Sequence, residues 1–293
     1  MKNIAFIGLG AMGIAMANNI LKGGHNVVGY DRDEARLALH SANGGKIASS
    51  PAEAAKDADI VITMLPVGAI VKSALFDAGG ITETMSPDAL FIDMSTIHPL
   101  ESDDIRAELT KHGITMIDAP VGRTSLDAIK GTLIILAGTD TDSLERARSV
   151  FECMGEIIID CGGPGKGIRI KVVNNFMSVA LSALTAECLA LSDKLGLDRN
   201  LAIEVMSGTP AATGHMLTTY PKKVFQNDLS PAFPIDLANK DLLISLDLAE
   251  ALDINMEMGR AASYVYKEAQ NEGRGNQDWT ALYDMLSPAK QIA

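Results

Sequence analysis

Seven short apolar runs divide the first 160 residues of this 293-residue chain: IAFIG, NVVGY, DIVITML, ALFIDM, GITMID, TLIILAG and EIIID. Stretches of helical character, such as AMGIAMANNILKGG, lie between them. Strands alternating with helices at this spacing imply parallel βαβ units. The segment from Asn3 to about Asp160 is therefore expected to be an α/β domain with a doubly wound sheet.

The character changes after CGGPGKG, Cys161 to Gly167. Ile168 to Leu195 holds no proline or glycine, and if helical throughout it would span roughly 40 Å at 1.5 Å per residue. Such a helix can leave one domain and form the spine of another. RNLAIEVMSG, KDLLISLDLAEALD and MGRAASYVYKEAQNEG keep helical periodicity with almost no strand signal. The expected organisation is a nucleotide-binding domain over residues 1–163 and an all-helical domain over 164–293, joined by the long interdomain helix.

GLGAMG supplies Gly8, Gly10 and Gly13 directly after the first strand and directly before a helix. In that setting the first two glycines permit a tight turn and the approach of backbone N–H groups, with Leu9, Ala11 and Met12, to a pyrophosphate; the third permits close helix–strand packing. A merely glycine-rich turn is the alternative. Asp31 ends the second strand, near the distance of about 20 residues at which an acidic group meets the ribose 2'-hydroxyl. Its carboxylate would repel a 2'-phosphate, which favours NAD, used as NADH, over NADP, although Arg32 beside it could neutralise such a phosphate. Met64, Leu65 and Pro66 end another strand on the carboxyl edge of the sheet, where ligands bind in this architecture; as core residues they would look the same.

Lys171, Asn174, Asn175 and Ser178 share one face of the long helix. They read either as a site lining, with Lys171 donating a proton to a forming oxyanion, or as a polar seam between helices.

Formal net charge is -12, which argues against affinity for nucleic acid or anionic membranes, so any anionic ligand needs a local cationic pocket. Cys153, Cys161 and Cys188 show no metal or disulfide spacing, and His25, His40, His98 and His112 show no metal-ligand spacing, so no metal is expected. No apolar run reaches the roughly 20 residues of a membrane helix, and MKNIAFIGLG has no small-residue cleavage site. A reduced, cytoplasmic protein is expected. His215 in ATGHML reads as a loop residue, Trp279 as packing between helices with Asp278 capping the next turn, and Glu101, Asp103 and Asp104 as complements to the dipole of a helix begun at Pro99.

FIGLGAMG, ITMLP, IDMSTI, DAPVGRT, GTLIILAG, the GxxxKxxNN pattern at Gly167 to Asn175, and NKDL at Asn239 to Leu242 together resemble the β-hydroxyacid dehydrogenases over essentially the whole chain. The resemblance implies a Rossmann-type first domain, a helical second domain and an active site in the cleft between them. It makes Lys171 the general acid/base and Asn175 the residue holding it and the substrate. Ser95 and Thr96 of DMST would line the nicotinamide and substrate region, and Lys240, supported by Asp241, would close over the site. It also implies a homodimer or homotetramer formed through the helical domain.

One stretch departs from the family. Most members read D-x-P-V-S-G-G, where serine and glycines offer hydroxyl and N–H groups to a substrate carboxylate; here those three positions are Gly122, Arg123 and Thr124. A sulfonate needs more donors than a planar carboxylate, and an arginine fork supplies two at once, with Asn174 and Ser178 as further candidates. The expected activity is NADH-dependent reduction of a small anionic aldehyde bearing a sulfonate. The alternatives are a semialdehyde reductase acting on a carboxylate, since a carboxylate also accepts the fork, and a non-catalytic nucleotide-binding protein, against which Lys171, Asn175 and Lys240 argue.

Overall fold

The computed structural model describes residues 1–194, 196–208, 214–251 and 257–287. Contacts divide the chain into two compact units, Met1–Lys171 and Val172–Ala293.

The first unit runs β1 (Asn3–Ile7), α1 (Ala11–Lys22), β2 (Asn26–Tyr30), α2 (Glu34–Ala42), β3 (Lys46–Ile47), α3 (Pro51–Ala55), β4 (Ile60–Thr63), α4 (Gly68–Phe76), β5 (Leu90–Asp93), α5 (Pro99–Lys111) and β6 (Thr115–Asp118). These six strands form one parallel sheet in the order β3-β2-β1-β4-β5-β6. That is the doubly wound order, with its switch point between β1 and β4. Consecutive residues of a strand face opposite sides, so Phe6, Ile62 and Ile92 pack with Met16, Ile20 and Phe151 in one core layer, while Ile7, Val61 and Phe91 pack with Val71 and Ile105 in the other.

Five of the seven apolar runs supply strands of this sheet, and the last two lie outside it. After β6 come β7 (Val121–Gly122), α6 (Ser125–Lys130), β8 (Leu133–Ala137), α7 (Thr141–Met154) and β9 (Gly155–Asp160). β7, β8 and β9 form a separate sheet in which β7 runs antiparallel to β8. Only Ala119 and Pro120 separate β6 from β7, too short a link for a parallel crossover, so β7 does not join the first sheet beside β6; it pairs antiparallel with β8, which pairs parallel with β9.

The helix expected from Ile168 is α8 (Lys166–Lys194), and the division between the units falls inside it. Its start is clamped. The buried Asp118 carboxylate accepts the N–H groups of Gly165 (2.6 Å) and Ile168 (2.9 Å) and an N–H of Arg106 (2.8 Å). Arg169, one turn into the helix, pairs with Asp103 at 2.5 Å. Burial pushes the Asp118 carboxyl upward, opposed by the N–H groups of Ile168 and Gly165 and by the Arg106 charge. Asp103, which also pairs with Arg106, thus does more than complement a helix dipole.

The second unit continues with α9 (Arg199–Ser207), α10 (His215–Thr218), α11 (Ile235–Ala251), α12 (Glu257–Asn271) and α13 (Ala281–Leu286). Val179, Ala183, Tyr220, Leu242, Tyr266, Trp279 and Leu282 belong to its core. Asp278, fully buried, accepts N–H groups from Ala232 and Thr280 and the Thr280 hydroxyl, tying the loop before α11 to the start of α13. No helix among the described residues is long and apolar enough to cross a membrane.

Candidate active site

Gly8 has φ +97, and a Cβ there would lie 2.4 Å from the Met64 carbonyl oxygen. A Cβ on Gly13 would lie 1.9 Å from the Gly8 carbonyl oxygen, so the turn and the first helix close on each other only through glycine. Gly10 differs. A Cβ there meets no protein atom within 4 Å, so packing does not require glycine, whereas a ligand lying against the backbone would. Gly10 is also the N-cap of α1, with no side-chain cap and no acidic residue in the first turn. The N–H groups of Ala11, Met12 and Gly13 therefore begin a helix suited to an anion.

Asp31 braces this turn: one carboxylate oxygen accepts the Leu9 N–H at 2.6 Å and the other accepts the Asp33 N–H at 2.9 Å. Gly8, Gly10, Asp31, Arg32, Met64, Leu65 and Pro66 line one pocket of about 520 Å³. The Leu9 side chain is fully buried in the core, so that residue offers the pocket its backbone alone. Glycine turn, uncapped helix start and acidic strand end together fit the pyrophosphate and ribose of a dinucleotide.

Ser95 is 1% exposed, and its Oγ accepts the Leu65 N–H at 2.9 Å, joining the ends of β4 and β5. Beneath it lies Asp93, which accepts the Ser95 N–H (3.1 Å) and the Thr63 hydroxyl (2.8 Å). Burial pushes the Asp93 carboxyl up to about 6, against the hydrogen bonds from Ser95 and Thr63. Thr96 is half-buried beside it.

Arg123 has φ +76, a left-handed conformation that costs an ordinary L-residue about 1–2 kcal/mol. Its guanidinium donates through Nη1 to Glu156 Oε2 at 2.6 Å and to the Thr132 carbonyl. Thr124 is engaged locally, its N–H and hydroxyl both donating to Asp127 at the start of α6. A Cβ on Gly122 would make ordinary contact, 3.4 Å from Ile134 Cβ, so packing alone does not exclude a side chain.

On α8, Lys171 is half-buried, Asn174 exposed, Asn175 buried and Ser178 half-buried. Asn175 Nδ2 donates to Asp241 Oδ2 at 2.5 Å, and Asn174 Nδ2 donates to Asn175 Oδ1 at 3.3 Å. Lys240 Nζ pairs with Asp241 Oδ1 at 2.9 Å. Asn175 thus joins α8 to α11, while Asn174 beside it is exposed. Ser178 Oγ lies 3.2 Å from His215 Nε2. His215 is not a free loop residue: it opens α10, and its ring sits edge-on to Trp279 at 4.5 Å. Sequence reasoning passed over Asp93, Glu156 and the clamp made by Asp118. A carboxylate closing a wholly apolar strand was a usable signal for Asp93; nothing in the chain connects Glu156 to Arg123, 33 positions away.

Residues 3–163 match the family model of the NAD-binding domain of 6-phosphogluconate dehydrogenase, and residues 165–286 match that of the NAD-binding region of NADP-dependent 3-hydroxyisobutyrate dehydrogenase. The chain belongs to the β-hydroxyacid dehydrogenase family, of the 3-hydroxyisobutyrate dehydrogenase type, and is an oxidoreductase acting on a CH–OH group or its aldehyde. It is 49% identical to the 3-sulfolactaldehyde reductase of Escherichia coli K12, over 98% of this chain and 96% of that one. It is 33% identical to the NAD-dependent L-serine dehydrogenase of Pseudomonas aeruginosa, over 99% of each. The structure of Mycobacterium tuberculosis 3-hydroxyisobutyrate dehydrogenase with L-serine superposes with a TM-score of 0.90 at 34% identity, covering 98% of this chain and 99% of that one.

Proposed function

We propose that the protein reduces 3-sulfolactaldehyde to 2,3-dihydroxypropane-1-sulfonate with NADH. Arg123 carries the reading: a non-glycine residue is kept in a left-handed conformation, in the stretch to which the family resemblance assigns the substrate's acid group. The 49% identity to 3-sulfolactaldehyde reductase supports it.

The glycine turn and the start of α1 would hold the pyrophosphate, and Asp31 the ribose hydroxyls, disfavouring a 2'-phosphate. NADH held there would supply the hydride that reduces the aldehyde carbon. Lys171 Nζ donates the proton that completes the alcohol, and its charge stabilises the developing alkoxide beforehand. Asn175, anchored by Asp241, and Lys240 orient that end of the substrate. Arg123 is the proposed sulfonate donor, through the guanidinium nitrogens that Glu156 and Thr132 do not engage, with Asn174 and Ser178 as further candidate donors and no side chain at Gly122 to crowd a pyramidal group. Thr124, spent on Asp127, contributes by holding the turn. Exposed Val173, Met177, Leu201 and Val205 on α8 and α9 support association through the helical unit into a homodimer or homotetramer. The net charge of -12 argues against nucleic-acid and anionic-membrane partners, and a cytoplasmic location is part of the proposal.

A second reading, reduction of a carboxylate semialdehyde such as succinate, tartronate or methylmalonate semialdehyde, draws on the relatives at 33% and 34% identity, named for L-serine and 3-hydroxyisobutyrate. Steady-state kinetics on 3-sulfolactaldehyde and these three aldehydes decide between the two. The proposal expects kcat/KM at least about 100-fold higher on the sulfonate, the worth of two charge-assisted hydrogen bonds. Equal or higher values on a carboxylate would overturn it.

A further inference from the structure

We infer that His215 is a positioning residue that fixes the Ser178 hydroxyl as a donor toward the substrate's anionic group. The inference rests on the reading of Ser178 as an anion ligand given above.

The His215 ring stands between two hydroxyls. Nε2 lies 3.2 Å from Ser178 Oγ and Nδ1 lies 3.5 Å from Thr219 Oγ1. The Trp279 ring meets it edge-on, 79° between planes, which restrains rotation out of this line. Burial lowers the ring's affinity for a second proton, so the imidazole at neutral pH is the neutral form with a single N–H.

The position of that one proton decides what Ser178 can do. With the proton on Nδ1, Nε2 is an acceptor and consumes the serine O–H, so Ser178 would show only lone pairs to an anion. With the proton on Nε2, the ring donates to Ser178 Oγ and the serine hydrogen must point elsewhere, toward an acceptor. Thr219 fits the second arrangement, in which its hydroxyl donates to Nδ1. Thr218 beside it donates to the Gly214 carbonyl at 3.0 Å, and Thr219 Oγ1 lies 3.5 Å from His215 Nδ1 and 3.4 Å from Thr218 Oγ1, so these two atoms are the acceptors open to the Thr219 hydrogen. The run Thr219 to His215 to Ser178 thus delivers one O–H outward from α8, one turn beyond Asn174.

The test is a double-mutant cycle with NADH saturating and 3-sulfolactaldehyde varied. Ser178→Ala and His215→Leu should each raise KM about tenfold, the worth of one hydrogen bond to a charged group, with kcat within about threefold. The double variant should be no worse than either single one, because the two side chains act as a unit. His215→Gln, whose amide can donate in the place of Nε2, should restore KM to within about threefold of the parent, which loss of packing alone would not allow. Should His215→Leu fail to fold, Thr219→Val, which removes the Nδ1 partner, should still raise KM by about threefold. An unchanged KM in His215→Leu, or losses that multiply in the double variant, would overturn the role of His215 while leaving Ser178 in place. An unchanged KM in Ser178→Ala would remove Ser178 from the anion site, and the inference with it.

Discussion

At the scale of single residues, the three glycines of the first turn separate fold from function. Gly13→Ala drives a Cβ to 1.9 Å from a carbonyl oxygen and is expected to lower unfolding free energy by at least about 2 kcal/mol, read from a urea midpoint. Gly10→Ala meets open space, so it should cost no more than about 1 kcal/mol, the loss of a tolerable N-cap, yet weaken NADH more than about tenfold by fluorescence titration. Equal stability losses in the two variants would contradict this division. Spacing alone identified the three glycines; which of them faces protein and which faces ligand depends on Met64 and on the start of α1, and no periodicity encodes that. Arg123 teaches the same lesson. Its departure from the family pattern was visible in the sequence, but its positive φ and its pairing with Glu156 were not, because both follow from the ribbon made by β7, β8 and β9.

At the scale of elements, the strand ends carry charges that the apolar runs do not explain. Asp93 closes β5 with its carboxyl raised by burial from an ordinary 3.8 to about 6. The folded chain therefore binds that proton more tightly than the unfolded chain does. The stabilisation is complete below the ordinary value and is lost as pH rises through about 6. Relative to the parent, Asp93→Asn should gain stability by up to about 3 kcal/mol as pH rises from about 4 to about 7, measured by urea unfolding at a series of pH values. A difference independent of pH would refute the burial argument. Asp118, at the end of β6, clamps the start of α8, and Asp118→Ala should cost about 3 kcal/mol or more, since Arg106 and two N–H groups lose their acceptor. The long apolar strands and α8 were legible because each repeats its pattern over many residues. β3 and β7, two residues each, repeat nothing, and the second sheet followed from the brevity of the β6–β7 link.

At the scale of the whole molecule, each unit has its own core, and Lys171, which ends the first unit, does not line the pocket beside the glycine turn, so a ligand held there should report on that unit independently of Lys171. Lys171→Ala should cut kcat by roughly 100-fold or more. It should still show the parent's rise in melting temperature with NADH, a stabilisation of about 2.7 kcal/mol at 100 times Kd. NADPH should give a smaller rise in both proteins; an equal rise would remove the argument from Asp31. With a net charge of -12, the molecule repels anions at long range, so selectivity for an anionic aldehyde must come from a few local donors. The measurement that bears most directly on this is kcat/KM of Arg123→Gly on 3-sulfolactaldehyde and on succinate semialdehyde. Relief of the left-handed strain should leave the melting temperature within a few degrees of the parent, while activity falls at least about tenfold more on the sulfonate than on the carboxylate. Equal losses on the two substrates would contradict the assignment of Arg123 to a sulfonate.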